Sequence, residues 1–109
     1  MPRTDRGLAK LRAICLSLPN TTEKLAWGHP TFRVGGGRWF ASYGDLQGRR
    51  TVSFKLEPPR AERMQHDPRF VKASRLGRHP VVSIDVALID NWDDVEDMIR
   101  ESYRLAASG

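Results

Sequence analysis

Arg38-Trp39-Phe40-Ala41-Ser42-Tyr43-Gly44-Asp45-Leu46-Gln47-Gly48-Arg49-Arg50-Thr51-Val52-Ser53-Phe54-Lys55-Leu56 is the stretch that decides the fold. Two runs of aromatic and β-branched residues, 38–43 and 51–56, flank a turn segment at 44–48. Residues that favour pleated backbone, separated by glycines, read as adjacent antiparallel strands. Successive side chains of a strand point to opposite faces. The second run therefore puts Val52, Phe54 and Leu56 on one face and Thr51, Ser53 and Lys55 on the other. The same rule applied to the first run predicts Trp39, Ala41 and Tyr43 on one face, with Phe40 and Ser42 opposite. One face of such a sheet must pack on helices.

Upstream, Lys24–Trp27 and Thr31–Val34 add two further strands, and Gly35-Gly36-Gly37 supplies a hairpin turn. Downstream, Val81–Val86 is a strand, whereas Phe70–Ser74 suits either a short extended piece or a loop. Leu8, Leu11, Cys15 and Leu18 recur at helical spacing, so residues 5–18 form an amphipathic helix, with Thr4 or Asp5 as N-cap and Pro19 as the stop. Pro58 and Pro59 open a short helix that runs to His66, because proline is tolerated in a first turn. A last helix starts at Asn91, a good N-cap, with Asp93 and Asp94 in its first turn and an apolar stripe through Trp92, Val95, Met98, Ile99, Tyr103 and Ala106. The expected architecture is α+β: a two-layer sandwich in which an antiparallel sheet of about five strands carries two to three helices on one face. Residues 1–109 form a single domain.

Composition bounds the function classes. With 109 residues, 39% of them hydrophobic and 28% charged, the chain has material for one soluble core. No apolar run approaches the roughly 20 residues that span a bilayer, and the N-terminus Met1-Pro2-Arg3-Thr4-Asp5-Arg6 lacks a signal-like apolar stretch, so a cytoplasmic, membrane-free location is expected. Cys15 alone permits neither an internal disulfide nor a cysteine-cluster zinc site, and its helical spacing predicts a buried thiol. The net charge of +5 is segregated. Residues 24–79 hold twelve Lys/Arg against four Asp/Glu, and residues 85–109 hold two against seven, which predicts a polarised molecule.

Several clusters carry candidate chemistry. Arg33, Arg38, Arg49 and Arg50 sit on hairpin strands and tips, Lys55 on the sheet, and Arg69, Lys72, Arg75 and Arg78 beyond it, a set suited to DNA phosphates. Four to six such contacts would make log K fall with log salt at a slope of about −4 to −5, and the lack of a recognition helix predicts weak sequence preference. In Trp27-Gly28-His29-Pro30-Thr31-Phe32, His29 stands at a strand-to-strand corner where its ring can bond turn backbone, and His79-Pro80 repeats the pattern. If those turns met, Trp27, His29, Lys55, Arg78 and His79 would make a pocket for a phosphate or carboxylate. A third class is a protein partner or a second copy bound through the open sheet face or the Trp39/Tyr43 side. His29, His66 and His79 lack metal-ligand spacing, Ser42, Ser53, Ser74 and Ser83 lack a nucleophile elbow, and the triple glycine lacks the Lys-Ser/Thr of a phosphate loop. No cofactor and no reaction are implied.

Trp27-Gly28-His29-Pro30-Thr31-Phe32-Arg33-Val34, Arg38-Trp39-Phe40-Ala41, Ser53-Phe54-Lys55-Leu56, Asp67-Pro68-Arg69-Phe70, Leu76-Gly77-Arg78-His79-Pro80-Val81-Val82-Ser83-Ile84 and Glu101-Ser102-Tyr103-Arg104-Leu105 together resemble the MmcQ/YjbR family, in order over roughly residues 8–106. The resemblance implies a frataxin-like (CyaY-like) α/β fold, similar also to secretion-chaperone subunits, and a DNA-binding role often given to the family. It implies no catalytic residues.

Overall fold

Two tight hairpins set the register of the sheet. Ala26 pairs with His29 and Leu46 with Arg49, so Trp27-Gly28 and Gln47-Gly48 are two-residue loops. All four residues have left-handed φ, +56° and +79° in the first loop and +55° and +77° in the second. That is the type I′ turn, whose twist matches the twist of the strands it joins. Glycine accepts this backbone freely at the second position, whereas at the first a side chain costs on the order of 1–2 kcal/mol, which Trp27 and Gln47 both bear.

The computed structural model describes residues 6–76 and 79–108, with side chains described for all of these except 72–76. Helix α1 (Arg6–Leu16) is followed by strands β1 (Thr21–Ala26), β2 (His29–Val34), β3 (Arg38–Leu46) and β4 (Arg49–Lys55). Then come α2 (Pro58–Met64), β5 (Phe70–Leu76), β6 (His79–Asp85), a single 3-10 turn (Val86–Leu88) and α3 (Trp92–Ser108). The expected caps Thr4 and Asp5 lie outside the described residues. Asn91 does cap α3, its Oδ1 accepting the Asp93 amide at 2.9 Å.

The sheet has six strands in the order β1-β2-β3-β4-β6-β5, with every pair antiparallel. The sixth strand is the ambiguous segment after Asp67-Pro68, which pairs with β6 at the sheet edge. Other boundaries differ from expectation: β1 starts at Thr21 and leaves Trp27 to the turn, α2 stops at Met64, and β6 runs from His79 to Asp85. Gly44, Asp45 and Leu46 continue β3 instead of forming a loop, and His29 and Pro30 begin β2 instead of marking a corner.

The helices cover one face. Phe32, Phe40, Val52, Phe54, Leu56, Val82 and Ile84 are essentially inaccessible there, packed with Leu11 and Cys15 of α1, Ala61 of α2 and Val95, Met98 and Ile99 of α3. Burial pushes the Cys15 thiol far above its ordinary value, with Glu23 adding to the shift, so this cysteine stays protonated in the core. Gly7 lets α1 lie close to the sheet. A Cβ there would stand 2.7 Å from both Tyr43 Oη and Val86 Cγ1.

Strict alternation fails in β3. Phe32 pairs with Ala41 and Arg33 with Trp39, so Phe40 is an extra residue, a β-bulge. Phe40 and Ala41 consecutively face the helices, joined by Tyr43, while Trp39 and Ser42 share the open face. Trp39 is thereby separated from Ala41 and Tyr43, contrary to the period-two expectation. A bulge leaves ladder groups unpaired, and α3 satisfies them: Ser102 Oγ donates to the Phe40 carbonyl at 2.6 Å and accepts the Lys55 amide at 2.8 Å.

The expected charge polarity is partly cancelled by packing. Arg60 of α2 bridges Asp97 and Glu101 of α3, and Arg69 bridges Asp67 and Asp94. The acids of the last helix thus hold basic residues of the central segment as well as complementing the helix dipole.

Candidate functional site: a cleft on the open sheet face

The site follows from a row of small side chains. Register places Thr31 opposite Ser42, Ser42 opposite Ser53, and Ser53 opposite Ser83, a ladder of hydroxyls across four strands. Taller side chains stand on either side of it. Arg33, Trp39, Lys55 and Val81 flank one side, and Trp27, His29 and Leu46 the other. Short residues between long ones leave a cleft of about 610 Å3 over the open face. Four strands at about 4.8 Å spacing make it about 14 Å long.

Its floor is hydrogen-bonded but not saturated. Ser53 and Ser83 Oγ atoms are 2.7 Å apart, so one hydroxyl proton is shared within the pair and the second can point outward. Thr31 Oγ1 donates to the Lys24 carbonyl at 2.6 Å, which ties β2 to β1. The His29 ring lies across Gly44. A Cβ on Gly44 would come within 3.1 Å of His29 Nδ1, so the glycine makes room for a flat imidazole on the sheet. Among the described residues the ring has no hydrogen bond to the neighbouring turn, and its contact is with the sheet at Gly44.

Lys55 is the principal charge of the cleft. Its Nζ sits 5.6 Å from the Trp39 ring centroid, a cation–π contact. Among the described residues no carboxylate lies within ion-pair distance of it. Partial burial holds its pKa below the ordinary lysine value, because desolvation disfavours the cation. The bulge at Phe40 puts Trp39 on the same face as Lys55, and Ser102 beneath holds the Phe40 carbonyl and the Lys55 amide.

Trp27 is the most exposed large apolar residue of the described set, at 96%, carried on the strained first hairpin and projecting at the cleft rim. Leu25, two residues before it, is 70% exposed.

The expected binding residues are distributed unevenly. Of the anion-pocket set, Trp27, His29 and Lys55 line the cleft. His79 lies outside it, on the far side of Val81 in β6 and 3.9 Å from Glu57, and Arg78 is outside the described residues. Of the phosphate-binding set, Arg33 and Lys55 face the cleft, Arg33 being held by the Gly37 carbonyl at 3.1 Å. Arg38 donates to the Ala106 and Ala107 carbonyls and closes the C-terminus of α3. Arg49 stands 3.6 Å from Asp85, and Arg50 pairs with Asp45 at 3.1 Å while covering Tyr43. Arg69 is bound by two acids, and its pKa rises accordingly, chiefly through the Asp67 hydrogen bonds. The side chains of Lys72 and Arg75 are not among those described.

Thr31, Ser42, Ser53 and Ser83 are not among the anticipated binding residues, and Trp39 is anticipated there only as part of a surface for a protein partner or second copy. Their signal was present as small hydroxyls on the non-core side of each alternating strand, but their convergence depends on register across four strands. Among the described residues no three of His, Cys, Asp and Glu gather as a metal would require, and no helix is long and apolar enough to cross a membrane.

The model of the YjbR family matches residues 16–105. A crystal structure of a Deinococcus radiodurans protein with a DUF419 domain is similar at TM-score 0.75 and 24% identity, over 90% of this chain and 76% of that one. A crystal structure of a Pseudomonas syringae protein is similar at TM-score 0.74 and 14% identity, over 94% of this chain and 99% of that one. At those identities the likeness speaks to fold. No curated protein matches.

Proposed function

The chain belongs to the YjbR family, and we propose that it is a nucleic-acid-binding module whose contact surface is the open face of the sheet. The observation that carries this reading is the gathering of Trp27, Trp39, His29, Arg33 and Lys55 around a hydroxyl floor on the sheet face opposite the described helices. Exposed rings stack on unpaired bases for about 1–3 kcal/mol per base, and neighbouring cations take the phosphates. A sheet face with rings and cations suits single strands, whose bases are free to splay, better than duplex.

The hairpin arginines support a duplex-gripping mode less well. Arg38, Arg49, Arg50 and Arg69 each already bind a carbonyl or an acid, so each contact with a phosphate replaces an internal partner. Arg33 is likewise held, by Gly37 and Thr31, which leaves Lys55 as the main phosphate partner and a single-strand salt slope of about −0.7, much shallower than a surface using four to six basic residues.

Fluorescence anisotropy tests this with labelled mixed-sequence oligonucleotides, single-stranded and duplex, from low to near-physiological salt. The single strand should bind more tightly, with the shallow slope. A duplex preference with a slope of −4 or steeper would return the contact to the hairpin arginines, and absence of binding at low salt would reject nucleic acid altogether.

A further inference from the structure

The cleft is limited in size and in charge, and both limits bear on what fits it. Its volume of about 610 Å3 falls within the range that holds a single small-molecule ligand. Charge is limited because the cations and acids around it are mostly committed. Arg33 gives its guanidinium to Gly37 and Thr31, and Asp45 at the rim is paired with Arg50. Lys55 is left as the cleft cation whose ammonium has neither an ion pair nor a hydrogen bond among the described residues, only the Trp39 ring beside it.

The remaining features are matched to a flat, oxygen-bearing ligand. Trp27 offers an exposed indole and Trp39 a second ring beside Lys55. Ser42 and the Ser53–Ser83 pair offer hydroxyls that can donate and accept. We infer that the cleft is a site for one planar ring carrying one anionic group, the chemistry of a single nucleotide, with the anion on Lys55 and the ring against the indoles. The inference rests on the open face being the binding surface, and it adds that one unit suffices for binding. Partial desolvation of Lys55 supports it, because an anion restores what the ammonium loses by burial.

Isothermal titration calorimetry of the full chain tests it with four small probes, adenosine 5′-monophosphate (AMP), adenosine, inorganic phosphate and benzoate, beside an oligodeoxyadenylate strand. Each is repeated on Lys55→Gln and on the double variant Ser53→Ala/Ser83→Ala, with a thermal melt to verify folding. AMP should bind at least ten-fold more tightly than adenosine or phosphate alone, and Lys55→Gln should reduce it to the adenosine level. The serine variant should weaken AMP several-fold while the melt is unchanged, so the proposal remains testable if Lys55→Gln fails to fold.

Benzoate binding as tightly as AMP would keep the ring-plus-anion chemistry and assign the anion to a carboxylate source. AMP binding no tighter than adenosine, or a folded Lys55→Gln that binds AMP as well as the parent, overturns the inference. Two outcomes separate it from the reading beneath it. A strand that binds in a Lys55-dependent way while AMP does not would reject the single-unit site and keep the open face. A strand that binds equally well to both variants would reject both.

Discussion

Phe54 and Lys55 are neighbours in one strand and belong to different environments. Phe54 is fully buried against the helices, and Lys55 projects into the cleft. The same contrast holds across the sheet. On the helix side the strands present Phe32, Val52, Phe54, Val82 and Ile84, a dry core that supplies stability. On the open side the same strands present Thr31, Ser42, Ser53, Ser83 and Lys55. A face that merely needed to be soluble would suffice with scattered charge. This one instead aligns hydroxyls in register and surrounds them with two indoles, an imidazole and two cations. The period of two therefore separates the residues that hold the fold from those available for binding.

The contrast is most severely tested by substituting the neighbours separately. Phe54→Ala should cost about 3–5 kcal/mol of stability in denaturant melts, as expected for a buried aromatic, whereas Lys55→Gln should stay within about 0.5 kcal/mol and act on binding alone. If Lys55→Gln destabilised as much as Phe54→Ala, the division between the faces would be wrong.

Next in size is Ser102→Ala, which connects the two sides. It removes the bond to the Phe40 carbonyl and the acceptor for the Lys55 amide, so two buried backbone groups lose their partner, a loss of about 2–3 kcal/mol. Because the bulge sets the facing of Trp39, this core substitution should also change Trp39 fluorescence and weaken binding at the cleft. A stability loss with an unaltered cleft would mean the bulge holds without α3.

A smaller effect on the fold than that of Ser102→Ala belongs to Ser53→Ala/Ser83→Ala. Removing both members of a hydrogen-bonded pair leaves neither unsatisfied, so the melt should shift by less than about 1 kcal/mol. Binding should fall measurably, which distinguishes a recognition floor from a structural one.

Much of this division was legible in the sequence. The alternation of Val52, Phe54 and Leu56 with Thr51, Ser53 and Lys55 was correct, as were the one-sided helices and the Asn91 cap. Alternation misassigned Trp39 because nothing local in Arg38–Tyr43 marks an extra residue. The bulge is stabilised by Ser102, 62 residues away in sequence from Phe40. Gly44 read as a loop because a glycine inside a strand has little local support; its reason is the His29 ring lying above it. Arg38 and Arg69 read as free basic surface because the Ala106 and Ala107 carbonyls and Asp94 lie on the last helix, distant in sequence, whereas the Arg50–Asp45 and Arg69–Asp67 pairs are local. Facing within a regular strand is a local property. Register, bulges and ion pairs between distant elements are not.

The most direct measurement is an NMR titration of the labelled protein with a mixed-sequence single-stranded oligonucleotide, following backbone amides and tryptophan indoles. The account predicts shifts at the Trp27 and Trp39 indoles and at the amides of Ser42, Ser53, Lys55 and Ser83, with the Trp92 indole on α3 unmoved. Shifts centred on the Gln47–Arg50 hairpin tip or on α3, with the cleft silent, would contradict it.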